Sequence, residues 1–184
     1  MIHETRILFA VTVMKQITLR PSDVVVACQL TITSDASFQS LAASIGLSVG
    51  ECHNAVRRLG LASLLNPVSR RPAGDLLARF LVHGVPYAFP AQVGAAAVGV
   101  PTGASSLVPG GQPSSLEAYV WPDLDGSAQG MALTPLFPNA TSLPARNSGL
   151  YEILALIDAL RIGHAREKKV AEDVLRERLT KGGG

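Results

Sequence analysis

The sequence lacks the marks of a secreted or membrane-spanning protein. Only two cysteines, Cys28 and Cys52, occur among 184 residues, so there is no disulfide framework and both thiols are expected to be buried in a reducing compartment. The apolar run of residues 7–14 is far shorter than the ~20 residues that a membrane span needs. Glu4 precedes this run and no small-residue cleavage site follows it, which argues against a signal peptide. We therefore expect a cytoplasmic protein that does not contact a membrane.

The sequence also lacks the residue patterns of common enzyme and metal sites. It contains no CxxC or HExxH motif, and the neighbours Cys52 and His53 would point about 100° apart on a helix, too far to share one ligand. No lysine follows the glycine-rich stretches GVPTG and VPGGQ where a phosphate-binding loop needs one. Asp123 and Asp125 fall in a predicted turn, and no paired carboxylates or Ser–His–Asp order stands out. We predict a protein that is not an enzyme and holds no metal or other cofactor.

Charge is sparse, and its distribution is uneven. The net charge is +2, which by itself gives no argument for nucleic-acid binding. Residues 1–84 carry eight Lys/Arg against five Asp/Glu, residues 85–147 carry one against three, and residues 148–184 carry seven against six. Nine of the twelve prolines lie in the middle region. These shifts divide the chain into an N-terminal extension (1–14), a helical region (15–84), a Pro/Gly-rich region (85–147) and a C-terminal region (148–184).

The region 15–84 is predicted to be helical. Pro21, with Asp23 two residues on, suits the first turn of one helix. Ser34 and Asp35 are candidate caps for a second helix, which Gly46 is expected to end. Four apolar side chains in that helix recur at the i, i+3, i+4, i+7 spacing of one helical face: Phe38, Leu41, Ala42 and Ile45.

A third helix is predicted to begin at Ser48, because Glu51 three residues later completes a capping box. The expected buried face of this helix consists of Val49, Cys52, Val56 and Leu59. Its exposed face has residues at the same helical spacing: Gly50, His53, Asn54 and Arg57.

Residues 38–57 resemble the helix-turn-helix signature of bacterial repressors. The resemblance rests on the small Ala42 four residues before Gly46, and on apolar residues that flank the turn: Leu41, Ile45, Leu47 and Cys52. Ala55 departs from the signature, in which a larger aliphatic residue is usual. Over residues 15–90 the order of helices resembles winged-helix regulators of the MarR kind. Residues 66–84 favour a basic loop and another helix, so a β-wing would come from strands that follow residue 85.

The resemblance implies that the third helix reads DNA in the major groove. His53, Asn54 and Arg57 are side chains that meet base edges, and Gly50 permits close approach. Phosphate contacts are expected from four residues: Ser48, Arg58, Arg70 and Arg71. Glu51 is unfavourable near DNA unless its capping role occupies it. The alternative is a helical turn that only packs inside a core.

Residues 85–147 are predicted to form a small antiparallel β region. Aromatic residues and alternation indicate short strands in 85–91, 116–122 and 130–137. The sequence DLDG at 123–126 is typical of a turn between the last two strands. The stretch 94–115 has few large side chains and is predicted to be a long surface loop.

The region 148–184 is predicted to contain two helices. The first has an apolar stripe that is the candidate dimerisation surface: Leu150, Ile153, Leu154, Ile157 and Leu160. The second is expected to turn four residues inward: Val170, Ala171, Val174 and Leu175. Arg161, His164 and Arg166 surround Gly163, either as a contact for an anion or acidic partner or as a solvated elbow.

The expected fold is α+β, with a winged-helix-like N-terminal domain, a small antiparallel β region and a C-terminal helical pair. The expected function is that of a sequence-specific DNA-binding transcriptional regulator, a repressor in type. It would bind double-stranded DNA as a homodimer, because one short helix buries too little surface for specific binding. The alternative is an antitoxin-like or adaptor protein that binds a partner protein through residues 85–180. A third possibility is a purely structural scaffold.

Overall fold

Two buried helices form the centre of the fold. The computed structural model describes residues 16–106 and 118–181, and places helices α1 (Pro21–Ile32) and α7 (Ser148–Ile162) in the core. Both helices are apolar on most sides, the pattern of a helix surrounded by other elements. The stripe on α7 from Leu150 to Leu160 is at most 3% exposed within this single chain. It is therefore not available as the dimer interface that the sequence suggested.

Three further helices follow α1 before the chain reaches the sheet. They are α2 (Phe38–Ile45), α3 (Val49–Leu61) and α4 (Gly74–His83). Pro21 is the first residue of α1 and Gly46 caps the end of α2, as predicted. The predicted caps Ser34 and Asp35 were wrong, because the Ser37 hydroxyl accepts the hydrogen bond from the Ser40 amide at 3.1 Å. Helix α2 therefore begins later than the sequence predicts, at Phe38, which is the first residue of its apolar face.

The first predicted strand is a short helix, and the predicted surface loop contains the longest strand. Residues 85–91 contain α5 (Val85–Ala88), which continues from α4 after Gly84. Strand β1 (Val93–Thr102) lies in the stretch predicted to be a loop. Strands β2 (Tyr119–Pro122) and β3 (Ala128–Leu133) lie where the sequence predicts them, and Gly126 donates its amide to Asp123 O at 3.0 Å in the turn between them. Residues 103–106 of the predicted loop form a single 3-10 turn, and residues 107–117, which hold the rest of that loop and the start of the predicted second strand, lie outside the described part of the chain.

The sheet is mixed rather than antiparallel, because β1 curls and its two partners meet. Strand β2 pairs antiparallel with the second half of β1, and β3 pairs antiparallel with the first half. Strands β2 and β3 then pair in parallel, which closes the sheet on itself. This closure needs small residues, since a Cβ on Gly99 would lie 2.1 Å from Trp121 O. The scarcity of large side chains in β1 thus reflects close packing and not a loop.

The C-terminal part of the chain adds two more helices. Helix α6 (Leu143–Arg146) leads into α7, and α8 (Ala165–Lys181) packs on α7 and α4. Ala171 and Leu175 are buried as predicted, whereas Val170 is 48% exposed. The described residues thus contain eight α-helices and three strands, an α+β fold in agreement with the sequence. None of these helices is both long enough and apolar enough to cross a membrane.

A buried polar network joins α7 to the sheet. The Asp158 carboxylate accepts hydrogen bonds from Thr102 Oγ1 at 2.8 Å, Trp121 Nε1 at 2.6 Å and Arg161 Nη1 at 2.6 Å. Arg161 also donates to Phe89 O at 2.9 Å, and its side chain is 3% exposed. Burial raises the pKa of Asp158, while the guanidinium of Arg161 and the other donors oppose that rise. Arg161 is therefore a buried structural cation and not the surface contact that the sequence suggested.

Candidate nucleic-acid interface

The turn between α2 and α3 has the geometry that the sequence predicts. Gly46 has a φ of +86°, in the left-handed region, and its amide donates to Ala42 O at 2.8 Å. Ala42 is 5% exposed and lies in the core together with Ile45 and Cys52. The small residue, the glycine and the apolar flanks therefore form a tight turn whose apolar side chains pack in the core.

The start of α3 is closed by a capping box. The Ser48 hydroxyl donates to Glu51 Oε2 at 2.6 Å and accepts from the Glu51 amide at 3.2 Å, while the Ser48 amide donates to Glu51 Oε2 at 2.8 Å. These hydrogen bonds lower the pKa of Glu51, which keeps its carboxylate charged. Ser48 was expected to bind a phosphate, but its hydroxyl is occupied and a negative charge stands beside it. The start of α3 is consequently a poor phosphate site.

The outward face of α3 carries the four residues that the sequence predicts. They are all exposed to solvent: Gly50, His53, Asn54 and Arg57. The inward face contains Cys52, Val56 and Leu59 as expected, but Val49 is 40% exposed, so its predicted burial was wrong. Ala55, the departure from the signature, is fully buried. Burial of Ala55 turns the opposite, polar side of α3 away from the core.

Of these exposed residues, His53 stacks on an aromatic ring, whereas Asn54 and Arg57 form no polar contact with the described residues. His53 stacks on Phe38 with ring centroids 3.6 Å apart and an interplanar angle of 19°. The guanidinium carbon of Arg70 lies 4.8 Å from the centroid of the same Phe38 ring. Within the described part of the chain, Asn54 and Arg57 have no hydrogen-bond or ion-pair partner. Asn54 and Arg57 can therefore form new polar contacts without breaking any that these described residues make.

Arg58 is engaged inside the chain. Its Nε and Nη2 donate to the Asp23 carboxylate at 2.7 and 2.5 Å, a bidentate pair that joins α3 to the start of α1. Asp23 is fully buried, and the side chain of Arg58 is 13% exposed. The hydrogen bond to Asp23 raises the pKa of Arg58. Contrary to the expectation of a free surface arginine, Arg58 is first of all a structural cation.

A short hairpin-like loop follows α3 directly. Leu65 and Pro72 form an antiparallel bridge, and the Asn66 amide donates to Arg71 O at 2.8 Å. Val68 at the tip is 91% exposed, and Arg71 is exposed beside it. Sequence reasoning expected a basic loop here and missed the bridge, because one residue pair is too short to give an alternating pattern. The strands of the sheet pair with one another and not with this loop.

A cleft of about 780 Å³ separates this loop from α3. Phe38, Val56 and Pro67 are among its apolar lining residues, and Arg57 and Arg70 are its two lining arginines. Arg70 also donates from Nη1 to Ala36 O at 3.0 Å, which holds the loop against the segment before α2. The loop and the exposed face of α3 thus belong to one continuous surface that carries positive charge.

Side chains from residues 139–147 anchor the end of α2, and no local sequence pattern predicts these contacts. Asn139 Nδ2 donates to Gly46 O at 2.8 Å, Arg146 Nη2 donates to Ala43 O at 2.7 Å, and Asn147 Nδ2 lies 3.4 Å from Ser44 O. These donors satisfy carbonyl groups that the end of a helix leaves without intrahelical partners. They position the turn against the core from a segment more than ninety residues away.

The predicted contact around Gly163 does not form one surface. His164 and Arg166 are exposed, and the His164 amide donates to Glu167 Oε2 at 2.8 Å, whereas Arg161 is buried. In residues 16–106 and 118–181 there is no group of three or more His, Cys, Asp or Glu side chains that could hold a metal ion.

Comparison with protein-family models, with curated proteins and with solved structures finds no match for this chain.

Proposed function

We propose that this protein binds double-stranded DNA by placing α3 in the major groove. The observation that carries the proposal is the exposed face of α3, on which Asn54 and Arg57 lie one turn apart with no partner among the described residues. Asn pairs with the N6/N7 edge of adenine, and Arg pairs with the O6/N7 edge of guanine. Gly50 has nothing within 4 Å of the position of a Cβ, so the backbone of α3 can approach a base pair closely there.

The hairpin-like loop of residues 64–73 supports the same reading and acts as a minimal wing. It follows α3 directly, as the wing does in winged-helix proteins, and it carries Arg70 and Arg71. Contacts from these arginines to the sugar-phosphate backbone would fix the register of α3 without reading sequence. His53 has a different part, since its ring is stacked on Phe38 and supports the surface beside Asn54.

Sequence-specific regulation, as by a repressor, requires more contacts than one short helix supplies. A homodimer on two half-sites one helical turn apart provides them. The apolar stripe of α7 is buried, so the dimer must use another surface.

A salt-titrated binding assay on duplexes selected from a random pool tests the proposal. Arg57→Ala is expected to lower the slope of log K against log salt by about 1 and to relax the preference at one base pair. Asn54→Ala is expected to lose about 1–3 kcal/mol of discrimination at an adenine with little change in the salt slope. Arg166→Ala, an exposed arginine on α8, is the matched control. A pool with no enriched sequence and no salt dependence would contradict the proposal.

The second candidate function is that of an antitoxin-like or adaptor protein. It is favoured by large apolar side chains that lie open on the region 85–147: Tyr87 is 84% exposed, Leu124 is 98% exposed and Val93 is 49% exposed. Tight binding to one co-purifying protein, lost on Tyr87→Ser or Leu124→Ser and unaffected by Arg57→Ala, would favour this function.

A further inference from the structure

A second cleft is also lined by Arg57, and its lining carries positive charge. The cleft has a volume of about 510 Å³ and is lined by residues 16–18 and by three arginines, Arg20, Arg57 and Arg58. Arg20 and Arg57 are exposed. Arg57 thus lines both clefts, and Arg20 lines the second, although no sequence pattern singles it out.

The charge of this cleft follows from the ion pair beneath it. Asp23 is the acidic group in contact with the cleft lining, but it is fully buried and pairs with Arg58 through two hydrogen bonds. Asp23 also accepts from the backbone amide of Arg20 at 2.9 Å, which fixes the position of residue 20 at the start of α1. One carboxylate therefore offsets one of three guanidinium groups, and within residues 16–106 and 118–181 neither Arg20 nor Arg57 forms an ion pair.

We propose that this cleft binds a phosphodiester of the DNA backbone, with Arg20 as its principal ligand. The inference rests on the proposed function, because it takes the duplex to lie along the exposed face of α3. Arg57 belongs to that face and to the cleft, so a phosphate held there adjoins the bases that α3 meets. The Thr18 hydroxyl and the Gln16 amide are uncharged lining groups able to donate to phosphate oxygens.

In this proposal the cleft binds the phosphate that the sequence predicts at Ser48, at the start of α3. At Ser48 a charged Glu51 carboxylate stands where the phosphate was expected, and like charges repel. The guanidinium of Arg20 is exposed, while Asp23 fixes its backbone, so its planar donors face solvent where a phosphate oxygen can be bound. A contact to phosphate positions the protein on any duplex and does not select a sequence.

The test compares Arg20→Gln with the wild type on two duplexes, one enriched by selection and one unrelated. Each phosphate contact contributes about 0.9 to the slope of log K against log salt on B-DNA. Arg20→Gln is expected to lower this slope by about 1 on both duplexes and to leave their affinity ratio unchanged. Arg20→Lys is expected to retain most of the slope, because a lysine keeps the charge. Arg166→Gln is the matched control and is expected to change neither quantity.

The outcomes separate this inference from the function on which it rests. If the wild type binds DNA with a steep salt dependence and Arg20→Gln behaves like Arg166→Gln, the phosphate site is wrong and the DNA-binding proposal stands. If Arg20→Gln changes the affinity ratio, Arg20 reads bases and the inference is also wrong. A titration with inorganic phosphate, followed by the NMR amide signals of residues 16–20, tests whether the cleft binds a free phosphate ion instead of a DNA phosphodiester. Saturable binding that Arg20→Gln abolishes, without any effect on DNA, would overturn the proposal in favour of a free anion. A wild type that binds no duplex overturns both.

Discussion

The buried pair of Asp158 and Arg161 should behave as one energetic unit, and removal of either partner should be costly. The two side chains are 1% and 3% exposed, and the Asp158 carboxylate also accepts hydrogen bonds from Thr102 and Trp121. Asp158→Leu leaves the guanidinium of Arg161 buried without a counter-charge, and Arg161→Met leaves the carboxylate of Asp158 buried without one. A buried ion that loses its partner typically costs about 3–5 kcal/mol of folding free energy.

The double variant Asp158→Leu/Arg161→Met should cost much less than the sum of its parts. It removes both charges together, and it leaves the neutral donors of Thr102 and Trp121 unsatisfied, at about 1–3 kcal/mol for each donor left without a partner. The Phe89 carbonyl also loses the donor that Arg161 supplies. We expect each single variant to lose about 3–5 kcal/mol and the double variant to lose about as much as one single variant. For a chain of this size, about 1 kcal/mol shifts Tm by roughly 2–4 °C, so each single variant should melt roughly 6–20 °C lower.

Trp121 provides the assay, because it is the only tryptophan and is hydrogen-bonded to Asp158. Its fluorescence during urea unfolding gives the free energy of unfolding of each variant, and equal m-values would show that the same surface is exposed in each. Asp173→Asn is the control, since Asp173 pairs with Lys169 on the exposed side of α8 and its loss should leave stability nearly unchanged. Additive losses in the double variant would refute the coupling, and a small loss in both single variants would show that water reaches the network.

Three further predictions concern single residues. Gly99→Ala should unfold the sheet or prevent its closure, because its Cβ would lie 2.1 Å from Trp121 O, and loss of the Trp121 fluorescence signature would report it. Gly50→Ala should raise the free energy of unfolding by about 0.5–1 kcal/mol, since its Cβ would meet open space in a helix, while the added methyl weakens DNA binding in the same salt titration. Hydrogen bonds from Ser48 lower the pKa of Glu51, so its contribution to stability is present above its ordinary pKa of 4.5 and is lost as pH falls through the lowered value. Glu51→Gln should therefore reduce the loss of Tm on acidification, measured against the wild type at acidic and neutral pH, and an unchanged pH profile would contradict the capping role.

Features of the fold that depend on a few neighbouring residues could be predicted from the sequence. The left-handed turn at Gly46 and the capping box of Ser48 and Glu51 are examples, because each is complete within one helical turn of sequence. Strand β1 could not be predicted, since its small residues have weak strand propensity and form a strand only where Trp121 packs against Gly99. Its pairing partners lie beyond residue 118 and are visible only once the chain has folded.

The candidate site shows the same division between local and distant causes. Which residues of α3 face outward followed from helical spacing, but the state of each side chain did not. Arg58 and Arg57 are adjacent in sequence, yet Arg58 pairs with Asp23 from α1 and Arg57 has no partner among the described residues. The helical pattern also placed Val49 inside, but at the first residue of α3 it is 40% exposed. Periodicity assigns a residue to a face, and only the packing of other elements determines what that face meets.

The same distant contacts explain how α3 can present a fixed surface. The end of α2 is held by donors from Asn139 and Arg146, and Arg58 ties α3 to the start of α1. Such hydrogen bonds contribute about 1 kcal/mol each, and those that involve a charged group about 1.5–3 kcal/mol. The turn and both helices are therefore attached to the core at separate points rather than through one flexible linker. A surface that is already ordered has less conformational entropy to lose when it binds, so the proposed contacts of Asn54 and Arg57 with a duplex would retain more of their interaction free energy as affinity.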